Sequence, residues 1–478
     1  MIAKLAENSV QPSLTTLAPA QVEQVHAYSL DILGTVGVRV DSARARDLFA
    51  KAPGPSAVAG DRVRISNEMV AWALDVAPRA VEIYDRRGGQ AFRLPGATRF
   101  GIGVTALYYQ DPETDEMTPF SRRHMASTMR LGGALPSYDL ISTVGIIQDV
   151  PPQVSDLHAA LEMVANTVKP LVLLVSDETI FPAVLDLVEH LCGGLSTRPC
   201  VIPYLNPITP LVINEGTVDK LWHAIERGLP VIYSNYGMAG ASTPITPAGE
   251  LALLNAELLA GLVLGQLIRE GSHMILGCLP AVFDMKGKST FYSAKSYVVS
   301  LACAEMMAHY ALPHAGTSGS GMGWGPGMIT AGHQWTNHLL SCMGKAGLVP
   351  FVGDVLGGMA FSPAAAVYSD EVIAQARLLA EGFVLDDRTV GLDEIAAAGP
   401  GGEFLTSELT LEGFRTAYYH SPLFPNLTFE EWLERGSLPS AHRLREYTRE
   451  LLDQLEAPED HDELMAKGQA FIAGCGDA

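Results

Sequence analysis

From residue 100 onward, short runs of apolar and β-branched residues alternate with longer segments whose apolar positions repeat at helical spacing. The eight runs cover residues 100–107, 140–147, 171–175, 201–205, 230–234, 273–279, 312–317 and 348–352. The helical segments that follow them cover residues 121–134, 155–167, 179–192, 215–227, 247–269, 289–311, 332–346 and 369–381. Eight strand-like runs, each followed by a helix, predict an α/β protein of the (β/α)8 or TIM barrel type. A doubly wound open sheet is the alternative that this pattern leaves open.

The segments on either side of this repeat have a different pattern. Residues 1–97 predict an N-terminal α/β preface, with helices near 19–35, 42–52 and 67–76 and short strands around 86–89. Residues 393–478 predict a helical extension rich in aromatic side chains and ending in an acidic run. We therefore expect three parts, with the preface and the extension packed on a barrel formed by residues 98–392.

Two of the predicted helices are apolar on all sides. Residues 251–268 carry Glu257 as their only Asp, Glu, Lys or Arg, and residues 296–310 carry only Glu305. An outer barrel helix normally has a solvated face, so this pattern predicts that a second subunit covers these helices. We expect a homo-oligomer.

The composition limits the classes of partner and compartment. A net charge of −21 over 478 residues argues against binding nucleic acid or an anionic membrane surface. The six cysteines are scattered without a CxxC pair, and the first residues lack the apolar core of a signal peptide. Residues 251–268 are interrupted by polar side chains, which disfavours a membrane span. We expect a cytoplasmic protein.

A glycine-rich stretch at residues 312–345 stands out because residues 306–344 contain no Asp, Glu, Lys or Arg. Glycines recur at every second or third position between Gly316 and Gly327, which permits positive φ and close approach of backbone to a ligand. Trp324, His333 and further aromatic and titratable residues lie in the same stretch. The stretch is either part of a binding site or a loop that leads into a buried helix.

Common cofactor motifs are missing from the sequence. The Gly287–Thr290 tetrapeptide resembles the end of a P-loop, but Val282 stands where the loop requires glycine. No GxGxxG occurs in the glycine-rich stretch, and the histidines do not form the HExxH spacing of a helical zinc site. We expect no bound metal and no permanently bound cofactor.

In a barrel the chemistry lies where the strands end, so the residues after each run are the candidates. Aromatic residues in and after these runs can form a cage for a quaternary ammonium ion by cation–π attraction, or they can be ordinary core. They are Tyr204, Tyr233, Tyr236, Phe283, Trp324 and Trp335. Glu257, a lone carboxylate in an apolar helix, is either an anchor for backbone amides or an acid/base group of shifted pKa.

Four segments carry a resemblance to the trimethylamine methyltransferase family, and it extends over nearly the whole chain. They are TPFSRRHMASTMRLGGAL at 118–135, NTVKPLVL at 166–173, the long segment GLPVIYSNYGMAGASTPITPAGELALLNAELLAGLVLGQL at 228–267, and GPGGEFLTSELTLEGFR at 399–415. The resemblance implies a (β/α)8 barrel that transfers a methyl group from a methylated amine to the Co(I) of a separate corrinoid protein. Cobalamin is then supplied by that partner protein.

The resemblance also indicates which methylated amine is used. Family members that use trimethylamine carry pyrrolysine in the region that matches residues 318–325, whereas this chain has only standard residues there: Ser318, Gly319, Ser320, Gly321, Met322 and Gly323. A quaternary ammonium ion already leaves as a neutral amine, so catalysis reduces to desolvating and aligning it. The chain therefore resembles the pyrrolysine-free branch, which demethylates betaines and other quaternary amines. Leu409, where we expect His, and the segment 331–334 depart from the family pattern.

These observations predict a methyltransferase that acts on a small N-methylated cation. We expect Tyr204, Tyr236, Phe283 and Trp324 to hold the methylated nitrogen, and Asn235, His333 or Asp354 to orient the rest of the substrate. Glu257, in the Asn-Ala-Glu motif of the family, is the predicted catalytic residue. The alternatives are a barrel enzyme of another class, such as a zinc-dependent thiol methyltransferase, and a non-catalytic protein that binds quaternary amines.

Overall fold

The computed structural model describes residues 8–52, 57–103, 105–316, 321–344 and 346–476. Its strands are β1 Ser9–Val10, β2 Val38–Val40, β3 Ala57–Ala59, β4 Arg62–Arg64, β5 Val81–Tyr84, β6 Gln90–Leu94, β7 Arg99–Ile102, β8 Tyr108–Gln110, β9 Met117–Pro119, β10 Leu140–Ser142, β11 Leu171–Leu173, β12 Val201–Leu205, β13 Val212–Ile213, β14 Val231–Ala239, β15 Met274–Asp284, β16 Ser289–Phe291, β17 Leu348–Val352, β18 Asp354–Val355, β19 Ala360–Phe361 and β20 Phe383–Val384. Its α-helices are α1 Pro19–Asp31, α2 Ala43–Lys51, α3 Asn67–Val76, α4 Arg122–Ala134, α5 Pro152–Asn166, α6 Phe181–Cys192, α7 Glu215–Glu226, α8 Pro247–Ile268, α9 Ala294–His309, α10 Met328–Met343, α11 Pro363–Glu381, α12 Asp387–Val390, α13 Leu392–Ala398, α14 Glu408–Gly413, α15 Phe429–Glu434, α16 Ser440–Asp453 and α17 His461–Gly476.

The centre of the molecule is a curled eight-stranded sheet. Its strand order is β16-β15-β14-β12-β11-β10-β7-β17, and all neighbouring pairs are parallel except the β15–β16 hairpin. Seven of these strands coincide with predicted runs, and helices follow them. The eighth strand, β16, occupies residues 289–291, so the helix predicted over 289–311 begins only at Ala294. Neighbouring parallel strands must be joined by crossover connections. In this chain the crossovers contain the helices, which lie on the outside of the sheet. The chain is a mixed α/β protein.

The remaining predicted run, at residues 312–317, is described as far as Gly316, and this part lies between β15 and β17. Parallel bridges pair Leu276 with His314 and Ala315 with Leu348. The Leu276 amide donates to the Pro313 carbonyl at 3.0 Å, and the Gly316 amide donates to the Leu348 carbonyl at 2.9 Å. This short segment therefore joins β15 to β17, which lie near opposite edges of the central sheet.

The inner side of the sheet is filled with apolar side chains. Ile202, Ile232 and Ile275 belong to a core cluster that also contains Leu140, Val172 and Leu348. The β5–β6 hairpin packs against the same cluster through Val81, Ile83, Phe92 and Leu94. Most strand residues of this cluster lie at or near the start of their strands, and the Tyr84 amide donates to the Pro199 carbonyl just before β12, so the hairpin fills that end of the sheet.

Helix α8 explains the apolar pattern that predicted a second subunit. Thr246 caps it by accepting from the Gly249 amide at 3.4 Å, and Pro247 occupies its first turn. The helix contacts α1, α2 and α3, so the N-terminal segment of the same chain covers it. It is the one described helix long and apolar enough to span a membrane, but 89% of its most apolar window is buried inside the protein. The N-terminal segment therefore accounts for much of the burial of this helix, and the oligomer stays a prediction.

The last helices wrap around the outside of the repeat. Helix α17 packs on α5 and α6, and α16 packs on α11. The Arg86 guanidinium binds both carboxylate oxygens of Asp460, at 2.6 and 2.8 Å, and so joins the N-terminal part to the C-terminal part. The three-part division at residues 97 and 392 stays a prediction.

Candidate functional site

Aromatic side chains lie on the inside of the sheet, near the carboxyl ends of β12 and β17 and, four residues beyond the register partner of Tyr204, on β14. The Tyr204 and Phe351 rings meet edge to face with centroids 5.0 Å apart, and both belong to the inner core cluster. Burial raises the pKa of Tyr204 to about 12, so its hydroxyl stays neutral. Tyr236 is half-buried four residues after the inward-facing Ile232, on the same side of β14. Tyr204 and Tyr236 thus lie on neighbouring strands and face the inside of the sheet.

Asn206 links these two strands. Its side-chain amide donates to the Ser234 backbone carbonyl at 2.8 Å, while the backbone carbonyl of Asn206 accepts from the Thr217 hydroxyl at 2.7 Å. Asn206 is solvent-exposed although it directly follows a fully buried strand. A polar, solvent-accessible group therefore lies beside the aromatic side chains.

Glu257 and Asn235 lie on the outer side of the sheet, between β14 and α8. The Glu257 carboxylate accepts from the Leu211 amide at 2.5 Å, the Thr209 hydroxyl at 2.8 Å and the Asn235 side-chain amide at 2.8 Å. Burial raises the pKa of Glu257, and the three hydrogen bonds oppose that rise. The structure therefore brings these two predicted site residues together, and their contacts attach the loop after β12 to α8.

The loop that Glu257 holds has an unusual backbone. Leu211 has a φ of 57°, in the left-handed region that non-glycine residues rarely adopt. Because the Leu211 amide donates to Glu257, the carboxylate stabilises this conformation. Sequence reasoning did not single out Thr209 or Leu211, since nothing in their local pattern indicates a partner 46 residues later.

A second buried carboxylate, Glu250, lies seven residues before Glu257 on α8. It is 3% exposed and accepts from the Thr243 hydroxyl at 3.2 Å. Burial raises the pKa of Glu250 from 4.5 to about 7. The sequence analysis did not single out Glu250. Its spacing of seven residues from Glu257 places both carboxylates on one face of the helix, and this pattern could have indicated it.

The described part of the glycine-rich stretch is held by two polar side chains. The Gly321 amide donates to the Asp354 carboxylate at 3.1 Å, and a Cβ at Gly321 would lie 2.1 Å from the Asp354 carbonyl oxygen. The Gln110 side-chain amide donates to the Trp324 carbonyl at 3.4 Å. Gly323, with a φ of 111°, accepts from the Leu356 amide. The close approach requires glycine at position 321, and the φ favours it at 323.

The remaining predicted residues lie in different surroundings. The Trp324 side chain is 80% exposed, and Met322 is half-buried. His333 pairs with the Tyr297 hydroxyl at 2.9 Å, and burial lowers the pKa of its imidazole. Phe283 is half-buried on the β15–β16 hairpin, opposite Thr290. Ser318, Gly319 and Ser320 fall outside the described residues.

Within the described ranges no three His, Cys, Asp or Glu side chains are grouped so that they could hold a metal ion. The two carboxylates of α8 bind protein donors instead. The arrangement at the strand ends offers aromatic faces, an exposed amide and glycine backbone, which is suited to a small cation with apolar substituents.

Comparison with known proteins gives the class of this one. The sequence model described as trimethylamine methyltransferase (MTTB) matches residues 3–475. A match over nearly the whole chain shows that the protein is a methyltransferase. It belongs to the trimethylamine methyltransferase family.

Individual relatives agree with this assignment. The chain is 26% identical over 462 residues to the trimethylamine methyltransferase MttB of Desulfitobacterium hafniense (strain DSM 10664 / DCB-2), covering 95% of this chain and 92% of the relative. It is 26% identical over 473 residues to the glycine betaine methyltransferase of Desulfitobacterium hafniense (strain Y51), covering 97% of each. Among solved structures, the Methanosarcina barkeri monomethylamine methyltransferase MtmB aligns with a TM-score of 0.49 at 10% identity, over 96% of this chain and 98% of MtmB.

Proposed function

We propose that the protein transfers a methyl group from a small quaternary ammonium compound, such as a betaine, to the Co(I) of a corrinoid carried by a separate protein. The observation that carries the proposal is the family match over residues 3–475, in a chain with only standard residues at 318–325. The similarity to a glycine betaine methyltransferase over 97% of the chain supports the choice of a quaternary amine.

We infer that the central sheet is a closed (β/α)8 barrel with the reaction at its carboxyl end. The parallel bridges through His314 and Ala315 support closure, because they join β15 to β17 on the side opposite the β10–β11 pair. The β5–β6 hairpin occupies the other end. Barrel enzymes place their chemistry at the carboxyl ends of the strands.

In this proposal Tyr204 and Tyr236, with Phe283 and Trp324, surround the methylated nitrogen. Aromatic faces attract a cation that cannot donate hydrogen bonds, and they exclude the water that would stabilise it. Asn206 lies beside them with an exposed amide that suits a carboxylate or hydroxyl on the substrate. Asp354 holds the glycine-rich segment through Gly321, and His333 lies against Tyr297, so both act on the position of that segment.

Asn235 and Glu257 act in this proposal as positioning residues. Their hydrogen bonds hold the middle of β14, which carries Tyr236, and the loop after β12, which carries Asn206. The corrinoid, when bound through its protein, supplies a Co(I) nucleophile that accepts the methyl group as the N–CH3 bond breaks and a neutral tertiary amine leaves. The chain aligns and desolvates the cation for this in-line transfer.

The surface around the strand ends supports a protein partner. Exposed apolar side chains lie close together there because the Tyr108 amide donates to the Met359 carbonyl and the Leu356 amide donates to Gly323. Tyr108, Leu356, Met359, Trp324 and Met328 are all exposed. A cluster of exposed apolar side chains is typical of a protein interaction site. We infer that the corrinoid protein approaches here.

We also infer a homo-oligomer, and the support comes from the same two apolar helices that predicted it. A cavity of about 640 Å³ lies between α1, α8 and α9, and Tyr28 and Val298 in its lining are exposed. Light scattering after size exclusion tests this inference: a single 51.1 kDa species would contradict it. The cytoplasmic location stays a prediction.

The experiment that tests the function mixes the purified protein with Co(I) cobalamin and, separately, glycine betaine, choline, tetramethylammonium or trimethylamine. We expect methyl-Co(III) absorbance with at least one quaternary amine and none with trimethylamine. Loss of transfer after zinc chelation would indicate a zinc enzyme. Binding of a betaine by calorimetry without transfer to any corrinoid would indicate a binding protein. Either result would overturn the proposal.

A matched pair of variants connects the activity to the strand ends. Tyr236→Leu removes an aromatic face from the site, so we expect transfer to fall about five- to thirtyfold at subsaturating amine. Tyr418→Leu removes an aromatic side chain that is 80% exposed in the C-terminal extension, so we expect transfer to stay unchanged. Equal activity of both variants would place the site elsewhere.

A further inference from the structure

Two cysteines meet where α6 ends and β12 begins. Cys192 is the last residue of α6, and Cys200 directly precedes β12. Their thiols share a side-chain hydrogen bond. Two sulfur atoms at hydrogen-bonding distance need only a small adjustment of side chains and loop to reach the geometry of a disulfide. The pair lies at the amino end of β12, away from the end that carries Tyr204.

The two thiols differ in their access to solvent. Cys192 is half-buried, whereas Cys200 is 3% exposed and belongs to the hydrophobic core. A dissolved reagent can therefore reach the first sulfur and not the second. A solvent-accessible thiol beside a protected one is the usual arrangement of an attacking and a resolving cysteine.

The electrostatic surroundings favour ionisation of this pair. The hydrogen bond from Cys192 lowers the pKa of Cys200, and the charge of Arg86 acts in the same direction, against the effect of burial. Two hydrogen bonds to Asp460 fix the Arg86 guanidinium in place. Because the sulfurs share a hydrogen bond, the proton can pass between them and leave the negative charge on Cys192. The pair can thus supply the thiolate that disulfide exchange requires.

A second pair of neighbouring thiols, Cys278 and Cys303, gives a comparison within the same chain. Their sulfurs also share a hydrogen bond, and Cys303 has a further one with His314. Both cysteines are 1% exposed, so a dissolved oxidant reaches neither sulfur. Contact between the thiols is common to the two pairs, and access to solvent distinguishes them.

We propose that Cys192 and Cys200 form a reversible disulfide when the protein meets a small soluble disulfide such as oxidised glutathione. The Cys192 thiolate attacks one sulfur of the reagent, which releases one glutathione thiolate and leaves a mixed disulfide on Cys192. The Cys200 thiolate then attacks the Cys192 sulfur and releases the second glutathione. The two cysteines together lose two electrons and two protons, and the reagent is reduced to two thiols.

The bond would respond to the redox state around the protein. In a reducing compartment both cysteines stay thiols, and the bond forms when oxidised glutathione accumulates. It would join the C-terminal end of α6 to the start of β12. This inference concerns the cysteine pair alone and does not depend on the proposed methyl transfer.

The test incubates the full chain with oxidised glutathione at about pH 8, then denatures it, blocks the remaining thiols with N-ethylmaleimide and analyses its peptides by mass spectrometry. We expect a disulfide between Cys192 and Cys200 that dithiothreitol reverses, and maleimide on Cys278 and Cys303. Cys475→Ser removes the other half-buried cysteine and should leave this result unchanged. Maleimide on both Cys192 and Cys200, or a mixed disulfide that persists on Cys192 of the wild type, would overturn the proposal.

Two single variants separate the roles of the two sulfurs. Cys200→Ala lacks the resolving thiol and should keep glutathione on Cys192. Cys192→Ala lacks the accessible thiol and should leave Cys200 free to react with maleimide after denaturation. Glutathione on Cys200 of the second variant, or oxidation of Cys278 and Cys303 to the same extent as the proposed pair, would show that access to solvent does not select the site and would contradict the proposal.

Discussion

The Asn235 side-chain amide donates to the Glu257 carboxylate at 2.8 Å and to the Leu254 carbonyl at 2.9 Å, so one side chain joins β14 to two positions on α8. Both residues are almost fully buried. Glu257 in turn binds the loop after β12. The pair thus fixes the middle of β14 and the loop after β12 relative to a helix that is itself held by the N-terminal segment.

Replacing Glu257 with Ala should destabilise the protein by about 2 to 4 kcal/mol, because three buried donors lose their acceptor. Glu257→Gln keeps an acceptor oxygen and should cost about 1 to 2 kcal/mol. Chemical denaturation measures both values. Glu270→Ala, at an exposed position just after α8, is the control and should change stability by less than about 0.5 kcal/mol. Equal stability of Glu257→Ala and the control would contradict the anchoring role.

Glu250 should make stability depend on pH. The pKa of its carboxyl is raised by burial from 4.5 to about 7, so the folded state holds this proton more tightly than the unfolded state. The contribution of Glu250 to stability is therefore greatest below pH 4.5 and is lost as pH rises through 7. Glu250→Gln removes this dependence. The free energy of unfolding of the variant relative to that of the wild type should therefore increase by up to about 3 kcal/mol between pH 5 and pH 8. Denaturation curves at both pH values measure the gain; a constant difference between the two proteins would refute it.

Gly321→Ala should disturb the glycine-rich segment because the added methyl group would overlap the Asp354 carbonyl. We expect a loss of about 1 to 3 kcal/mol of stability and a marked loss of methyl transfer. Gly332→Ala is the matched control: that position is exposed on α10, and an added Cβ meets nothing within 4 Å. Gly332→Ala should raise the free energy of unfolding by about 0.5 to 1 kcal/mol, because alanine has a higher helix propensity than glycine. Thermal denaturation and activity assays that rank the two variants alike would contradict the close approach.

The aromatic residues at the strand ends should contribute unequally to binding a quaternary amine. Tyr236 is half-buried on the inner face of β14, so Tyr236→Leu should weaken binding of the quaternary amine by about 1 to 2 kcal/mol. Trp324 is 80% exposed, so Trp324→Ala should cost less than about 1 kcal/mol. Calorimetry with glycine betaine measures both. A larger loss at Trp324 than at Tyr236 would show that Trp324 moves onto the substrate and would revise the proposed site.

Much of the fold could be predicted because the spacing of apolar residues is a local property. Runs such as 201–205 and 348–352 became strands at the predicted positions, since a buried parallel strand must be apolar on both faces. The capping of α8 by Thr246 and Pro247 is equally local. Family membership followed from segments that the chain itself carries, above all residues 228–267.

Only the tertiary structure decided what covers each surface and what each polar group binds. Helices α1, α2 and α3 of the same chain pack on α8, and an apolar pattern cannot distinguish such cover from cover by a second subunit because burial has the same cause in both. Glu257 binds Thr209 and Leu211, and Glu371 accepts from the Ser421 hydroxyl 50 residues later. Such pairings join residues far apart in the chain, so they depend on chain packing and leave no trace in the local sequence.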